Sequence, residues 1–375
     1  MESRIKIAIV ISSMRTGGKE NMVKAVFQRL DRDRFDPFLC VMNTGELLQD
    51  LDSQRLYSQL SRYRGDVLGY IWRMLRIFQK ERPQVIYCLS YRIPGWVSRS
   101  LAKILGIPVI IYELHGVEDV RQRDLELPDR WLFNRFTDHM IAIGPGFRQN
   151  LIRDGVAENK ITVIRNGVDT QRFYPQGNQA ALKQNLLGLS AETPVIGCIT
   201  KMRPVKNLPM LVAAFKLVQE HIPATRLVIA GDGSERLVVE DQIKKLGLTS
   251  QVHLLGLRRD VPDLLNAFDV FALSSSSETA PLAILEAGAC GVPVVSTAVG
   301  EIPEIVLEGQ TGFLVPPGDG DALAKRLLDI LADRDLRDRM SQAARQHILN
   351  NFSLDASIRA REDLFLRLLH GKGAI

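Results

Sequence analysis

Two glutamates, Glu278 and Glu286, stand where carboxylates can bind a ligand. The stretch reads Ser274-Ser-Ser-Ser-Glu278-Thr-Ala-Pro281-Leu-Ala-Ile-Leu-Glu286-Ala-Gly-Ala-Cys-Gly-Val-Pro293. A strand ends near Leu273 and a polar loop carries Glu278. Pro281 suits the first turn of a helix, whose free N–H groups form an anion site. Glu286 lies inside that helix, and its neighbours three and four residues away (Leu282, Ala283, Ala289, Cys290) are all apolar. An ionised glutamate on an apolar face is seldom buried without a partner. Glu286 is therefore either a partly solvated helix residue or a carboxylate accepting hydrogen bonds from ligand hydroxyls. His115 is a second candidate. It follows a strand in which Glu113 lies two residues earlier, on the same face; a polar strand end is the plainer account. The loop Thr200-Lys201-Met-Arg203-Pro-Val-Lys206-Asn207 places three cations after a strand. Solubility alone also explains such a loop.

These groups need elements to hold them. Short apolar runs alternate with helical patterns: strands at 5–11, 38–42, 85–89, 109–112, 140–143 and 162–164, with helices at about 20–30 and 66–82. Strands this apolar, separated by helices, indicate a parallel sheet covered on both faces. The stretch 173–178 has turn composition and no periodicity. The alternation then restarts, with strands at 195–199, 227–230, 252–255, 270–273 and 293–296. Two helices, about 333–350 and 353–370, close the chain. Two such series predict an α/β protein of two Rossmann-like domains facing a central cleft. In such sheets ligands sit at the carboxyl ends of the strands, which is where the candidate groups fall. The expected division is 1–172, 173–352, and a C-terminal helix over 353–375 packing back toward the N-terminal domain.

Composition narrows the function classes. The 375 residues are 46% hydrophobic and 24% charged, which suits two globular domains and excludes a disordered chain. The apolar runs are too short for a membrane span or a signal-peptide core, so a cytoplasmic protein is expected. The four cysteines lie far apart in apolar runs, as reduced core thiols do. Residues 51–110 carry ten basic side chains (Arg55, Arg62, Arg64, Arg73, Arg76, Lys80, Arg82, Arg92, Arg99, Lys103) against three acidic ones (Asp52, Asp66, Glu81). That imbalance is either a solvated face or a surface for anionic headgroups or an anionic acceptor. Nucleic acid is not expected, because no matching signature accompanies the charge. Asp31-Arg-Asp33 and Asp333-Arg-Asp335 match a metal-binding Asp-x-Asp only formally. Ser12 to Gly18 lacks the Gly-x-Gly-x-x-Gly of a nicotinamide enzyme. No metal site and no cofactor are expected.

The spacing of Glu278 and Glu286, with Pro281 and Gly291-Val-Pro293, resembles the retaining glycosyltransferases of family 4, which have the GT-B fold. The resemblance covers nearly the whole chain. Gly17-Gly18 looks like the family's first-strand glycine loop, and His115-Gly116 falls at its active-site histidine. Asn166-Gly167-Val168-Asp169, with Phe173 and Pro175, is similar to its interdomain signature. Gly231-Asp232-Gly233 resembles the loop after the second strand of its C-terminal domain. The resemblance implies that Glu278 faces the donor sugar and that Glu286 binds the nucleotide ribose. Lys201 and Lys206 fall at its basic pair on the donor diphosphate. Lys201 stands where the family has Arg, and Thr200 where it has Gly. Lysine still neutralises phosphate but loses the bidentate fork. Arg203 is an extra cation beside them. Thr279 and Ala280 replace a Gly and an aromatic or Leu, and Glu301 replaces the second Gly of a Val-Gly-Gly turn. With Pro281 and Leu282 they complete the implied donor site.

The implied reaction is metal-independent, retaining transfer of a hexosyl group from a nucleoside-diphosphate sugar to a hydroxyl. The basic segment 51–110, in the domain that the resemblance implies binds the acceptor, suits a lipid-linked or cell-envelope glycan reached by a cytoplasmic protein peripheral on the inner membrane face. A nucleoside diphosphate leaves without a carboxylic acid to protonate it, provided its charge is stabilised. Two other classes stay open from sequence: a sugar-nucleotide epimerase of the same fold, and a catalytically silent sugar-nucleotide-binding scaffold.

Overall fold

The structure, a computed structural model, describes residues 4–15, 17–63, 65–115 and 128–375. The chain forms two compact units, Met1–Asn166 with Asp355–Ile375, and Gly167–Leu354.

The first unit holds strands β1 (Ile5–Ile11), β2 (Phe35–Val41), β3 (Leu56–Tyr57), β4 (Val85–Cys88), β5 (Val109–Leu114), β6 (His139–Ala142) and β7 (Ile161–Val163). Between them run α1 (Gly18–Arg29), α2 (Val67–Glu81), α3 (Arg92–Ile104), α4 (Asn134–Phe136) and α5 (Pro145–Arg153). The strands make one parallel sheet in the order β3-β2-β1-β4-β5-β6-β7. The middle strands are buried along their length, as a sheet covered on both faces requires.

The second unit repeats the plan. It comprises α6 (Gln179–Leu187), β8 (Val195–Ile199), α7 (Leu208–His221), β9 (Arg226–Ala230), α8 (Arg236–Lys245), β10 (Val252–Gly256), α9 (Val261–Ala267) and β11 (Val270–Leu273). Then come α10 (Leu282–Ala289), β12 (Val294–Thr297), α11 (Ile302–Ile305), β13 (Gly312–Val315), α12 (Gly320–Ala332) and α13 (Arg334–Asn351). The sheet order is β10-β9-β8-β11-β12-β13, again all parallel.

The last helix, α14 (Leu354–Gly371), packs on the first unit's sheet. Ile358, Arg361, Phe365 and Leu369 recur every three or four residues and are buried. Phe365 meets Tyr87 and Phe35 edge-on, with ring centroids 5.4 and 6.3 Å apart. Two strands escape the sequence reading, β3 and β13. Both are edge strands: one has two residues, the other is framed by Gly309 and Pro316, so neither shows a periodic apolar pattern. Helices α5 and α6 are likewise absent from that reading. The four cysteines are buried free thiols.

Candidate active site

In each sheet the strand order reverses beside the first strand of the series, and there the loops splay apart. In the second unit that point lies between β8 and β11. Leaving β8, Thr200 N–H donates to Ala230 O (3.0 Å) and Met202 N–H to Asp232 O (3.0 Å). Met202 is buried, Lys201 is exposed and Arg203 half-buried, so the buried methionine turns its two cationic neighbours outward. The close approach of these loops requires Gly231. Its φ is +135°, and a Cβ there would stand 1.8 Å from Thr200 O.

The chain then makes a tight turn over Pro204–Lys206 and enters α7 through Asn207, in the left-handed region at φ +44°. Asparagine tolerates that conformation better than most residues. The loop after β11 is stitched onto this turn. Ser274 Oγ donates to Lys206 O (2.8 Å) and Asn207 O (3.0 Å), and Ser276 N–H donates to Val205 O (2.8 Å). Thr297 Oγ1, from the end of β12, donates to Ser275 O (2.6 Å). These contacts bring two sequence candidates together. Lys206 Nζ lies 2.5 Å from Glu278 Oε1, which also accepts from Ser275 Oγ (2.7 Å).

Beyond Glu278 the backbone lies against the turn after β12. Glu301 N–H donates to Thr279 O (2.7 Å). Gly300, at φ +57°, would place a Cβ 2.0 Å from Glu278 O, so only glycine fits. Glu301 itself has ordinary right-handed angles (φ −89°, ψ 8°), which explains why no second glycine is needed. Pro281 is the extended residue before α10 rather than its first helical residue. Ala280, Pro281 and Leu282 are half-buried at that entry. Glu286 sits one turn further along α10. Burial pushes its carboxyl up to about 7, while Arg172 pulls it weakly down. Glu286 is half-buried, and its proton is shared near neutrality.

Gly17, Gly18 and His115 belong to the first unit. Gly17 is the extended residue before α1, which begins at Gly18. Gly116 lies outside the described residues. His115 Nε2 is 2.8 Å from Glu113 Oε1. Glu113 is wholly buried and accepts hydrogen bonds from Arg361 Nε (3.0 Å), Arg361 Nη2 (2.7 Å) and Tyr87 Oη. Burial would raise this carboxyl, but Arg361 and His115 outweigh it and hold it down at about 2. Arg361 and Tyr87 are absent from the sequence reading. No local pattern links residues 248 positions apart.

The basic segment is less basic than its count. Arg55 pairs with Asp36 and Glu81, Arg73 with Asp66, and the buried Arg99 with Asp129. What α2 shows outward is mixed. Leu68 is 83% exposed and Trp72 50%, with Arg76 stacked 3.8 Å over the Trp72 ring and Lys80 two turns past Trp72. Among the described residues, no helix is long and apolar enough to cross a membrane. Nor is any group of three or more His, Cys, Asp or Glu placed to hold a metal ion.

Doubly wound sheets with cations and carboxylates at the second sheet's reversal point define a class, and comparison with known proteins agrees with it. Residues 16–172 match the family described as Glycosyltransferase Family 4, and residues 180–347 the one described as Glycosyl transferases group 1. The chain belongs to this glycosyltransferase family, and its fold is GT-B. It is 29% identical to the UDP-Gal:alpha-D-GlcNAc-diphosphoundecaprenol alpha-1,3-galactosyltransferase of Escherichia coli, across 99% of both chains. It is 30% identical to the lipopolysaccharide core biosynthesis glycosyltransferase LpsE of Rhizobium meliloti, over 66% of this chain and 68% of that one. The crystal structure of Anabaena HepE in complex with UDP-glucose superposes with a TM-score of 0.85 at 22% identity, over 97% of this chain and 100% of that one.

Proposed function

We propose that the protein is a retaining hexosyltransferase that moves a sugar from a nucleoside-diphosphate donor to a hydroxyl of a lipid-linked glycan at a membrane surface. The observation that carries this reading is the convergence of Lys206 and Ser275 on Glu278, at the mouth of the helix that carries Glu286. Carbohydrate and diphosphate need opposite partners, and this loop supplies both. Lys206, Lys201 and the α10 N-terminus bind phosphate, with Arg203 at the margin. Glu278 faces the sugar alongside Thr279 and Ala280, and Glu286 accepts the ribose hydroxyls. In the first unit, Gly17-Gly18 and His115 serve the donor and the reacting carbon. The names of the relatives put uridine first among bases to test and a diphosphoundecaprenol-linked sugar first among acceptors.

In the reaction the bond from C1 of the sugar to the phosphate oxygen breaks, and its electron pair stays on that oxygen. The acceptor oxygen bonds to C1 on the same face, and the acceptor's proton passes to the departing phosphate. Charge grows on phosphate in the transition state, so fixed cations lower the barrier.

The first test is a panel of nucleotide sugars scored by thermal stabilisation and then by transfer to a lipid-linked acceptor. A bound donor at a hundred times its dissociation constant adds about 2.7 kcal/mol of stability. Transfer is expected to persist in EDTA. Metal-reversible loss would contradict the reading, and donor conversion without any acceptor would favour an epimerase. A protein that binds donor but neither transfers nor hydrolyses it is a scaffold.

The surface of α2 supports the membrane part of the proposal. Each Lys or Arg near an anionic bilayer contributes about 1 kcal/mol, and an inserted apolar side chain about 1.5–3 kcal/mol. Co-sedimentation with anionic vesicles is expected, weakened at high salt and weakened further by Leu68→Ser with Trp72→Ser. Equal binding to neutral and anionic vesicles, or binding to neither, would leave a soluble acceptor as the better reading.

A further inference from the structure

Behind Glu278 lie two wholly buried hydroxyls, on Ser275 and Thr297. Thr297 ends β12, and its Oγ1 donates to Ser275 O (2.6 Å). That bond fixes the peptide that follows Ser275. Ser275 Oγ has one proton to donate, and it goes to Glu278 Oε1 (2.7 Å). Lys206 Nζ lies on the same oxygen, at 2.5 Å. The backbone of Glu278 is confined as well, since a Cβ on Gly300 would stand 2.0 Å from Glu278 O. Both donors thus sit on Oε1, while among the described residues none donates to Oε2. The Glu278 side chain is only 9% exposed, so the carboxylate has little room to turn.

We infer that Ser275 and Thr297 are positioning residues: they turn Glu278 so that Oε1 is spent inside the protein and Oε2 faces a hydroxyl of the donor sugar. Neither hydroxyl performs the usual structural task of serine and threonine, which is to cap a helix or close a turn. Ser275 reaches a side chain three residues ahead, and Thr297 reaches a carbonyl 22 residues back. A carboxylate free to rotate presents either oxygen in many directions. Two donors on one oxygen leave a single presentation, set before the sugar arrives, and a contact set in advance costs no rearrangement during reaction. The effect falls on the sugar rather than the diphosphate. The turn that carries Lys206 is tied separately, through Ser274 and Ser276. This inference rests on the proposed sugar-facing role of Glu278.

The test has two arms. Thr297→Val keeps the side chain's shape but has no proton to donate, and Ser275→Ala removes the donor to Oε1. Rates are measured with the nucleotide sugar that wild-type protein transfers fastest, UDP-glucose and UDP-galactose being tried first. Binding is measured with the matching free diphosphate. Each variant is expected to lower kcat about tenfold to a hundredfold, the scale of a misplaced contact, with diphosphate affinity within twofold. Thr297→Ser keeps the hydroxyl and should recover most of the rate. In the double variant of Ser275→Ala with Glu278→Gln the two losses should not multiply. A folded Ser275→Ala or Thr297→Val protein with wild-type kcat would overturn the inference. So would multiplying losses, diphosphate affinity falling in step with kcat, or Thr297→Ser no better than Thr297→Val. The second arm needs no variant to fold. A crystal structure of wild-type protein with that donor is expected to place a sugar hydroxyl about 3 Å from Oε2, with Ser275 still on Oε1. A hydroxyl on Oε1 with Ser275 released, or Glu278 turned away from the sugar, would overturn the inference while leaving the proposed transfer intact. Failure of the transferase reading is separate: wild-type protein then transfers nothing.

Discussion

Lys206→Ala is expected to lower turnover by about 100- to 1,000-fold, the usual loss when one fixed stabiliser of developing negative charge is removed. Donor affinity should fall much less, because the charge on the leaving phosphate grows only as the glycosidic bond breaks. The structure adds a reason for the size of the effect. Lys206 is held by Glu278, and the turn that carries it is tied to the β11 loop through Ser274 and Ser276. Its position is therefore set before the donor arrives. Lys206→Arg should recover part of the rate, since charge is kept and geometry altered. Lys201→Ala should also be strongly impaired and Arg203→Ala less so. Single-turnover rates and donor titrations separate the two effects. If Arg203→Ala alone reduced the rate, the assignment of this loop would be wrong.

The second large effect concerns Glu286. Its carboxyl holds a proton up to about 7, and the ribose hydroxyls need the ionised form as acceptor. Binding therefore releases a proton. Donor affinity should rise about tenfold per pH unit below 7 and level off above it. A nucleotide sugar is the right probe, because its doubly substituted phosphates do not titrate near neutrality. Glu286→Gln should flatten the profile. Glu286→Ala should cost about 1.5–3 kcal/mol of donor affinity at high pH, the range for hydrogen bonds to charged groups. Calorimetric titrations in two buffers of different ionisation enthalpy count the proton directly. A flat wild-type profile between about pH 5.5 and 8 would remove Glu286 from the ribose site. Stability without donor moves the opposite way. The unfolded chain releases this proton near 4.5 and the folded chain near 7, so stability falls as pH rises between those values. Glu286→Gln should remove that fall.

The parallel α/β architecture is legible in the sequence, because a strand buried on both faces must be apolar, and β4, β8 and β11 are apolar throughout. The sequence also located the loops after β8 and β11, where polar and charged residues interrupt those runs. Strand β3 has only two half-buried residues and β13 is four residues opening on Gly312, so neither is long enough to leave such a trace. Tertiary structure alone decided the rest. Lys206 and Glu278 meet because two loops 72 residues apart are stitched together by serine hydroxyls. Arg73 and Arg99 add to the charge count of their segment, yet each is spent on an internal carboxylate. The partner of Glu113 comes from the last helix, which must first pack its apolar stripe on the sheet. The proton on Glu286 is likewise invisible in sequence, because a carboxyl's affinity for its proton depends on how much water the surrounding fold removes.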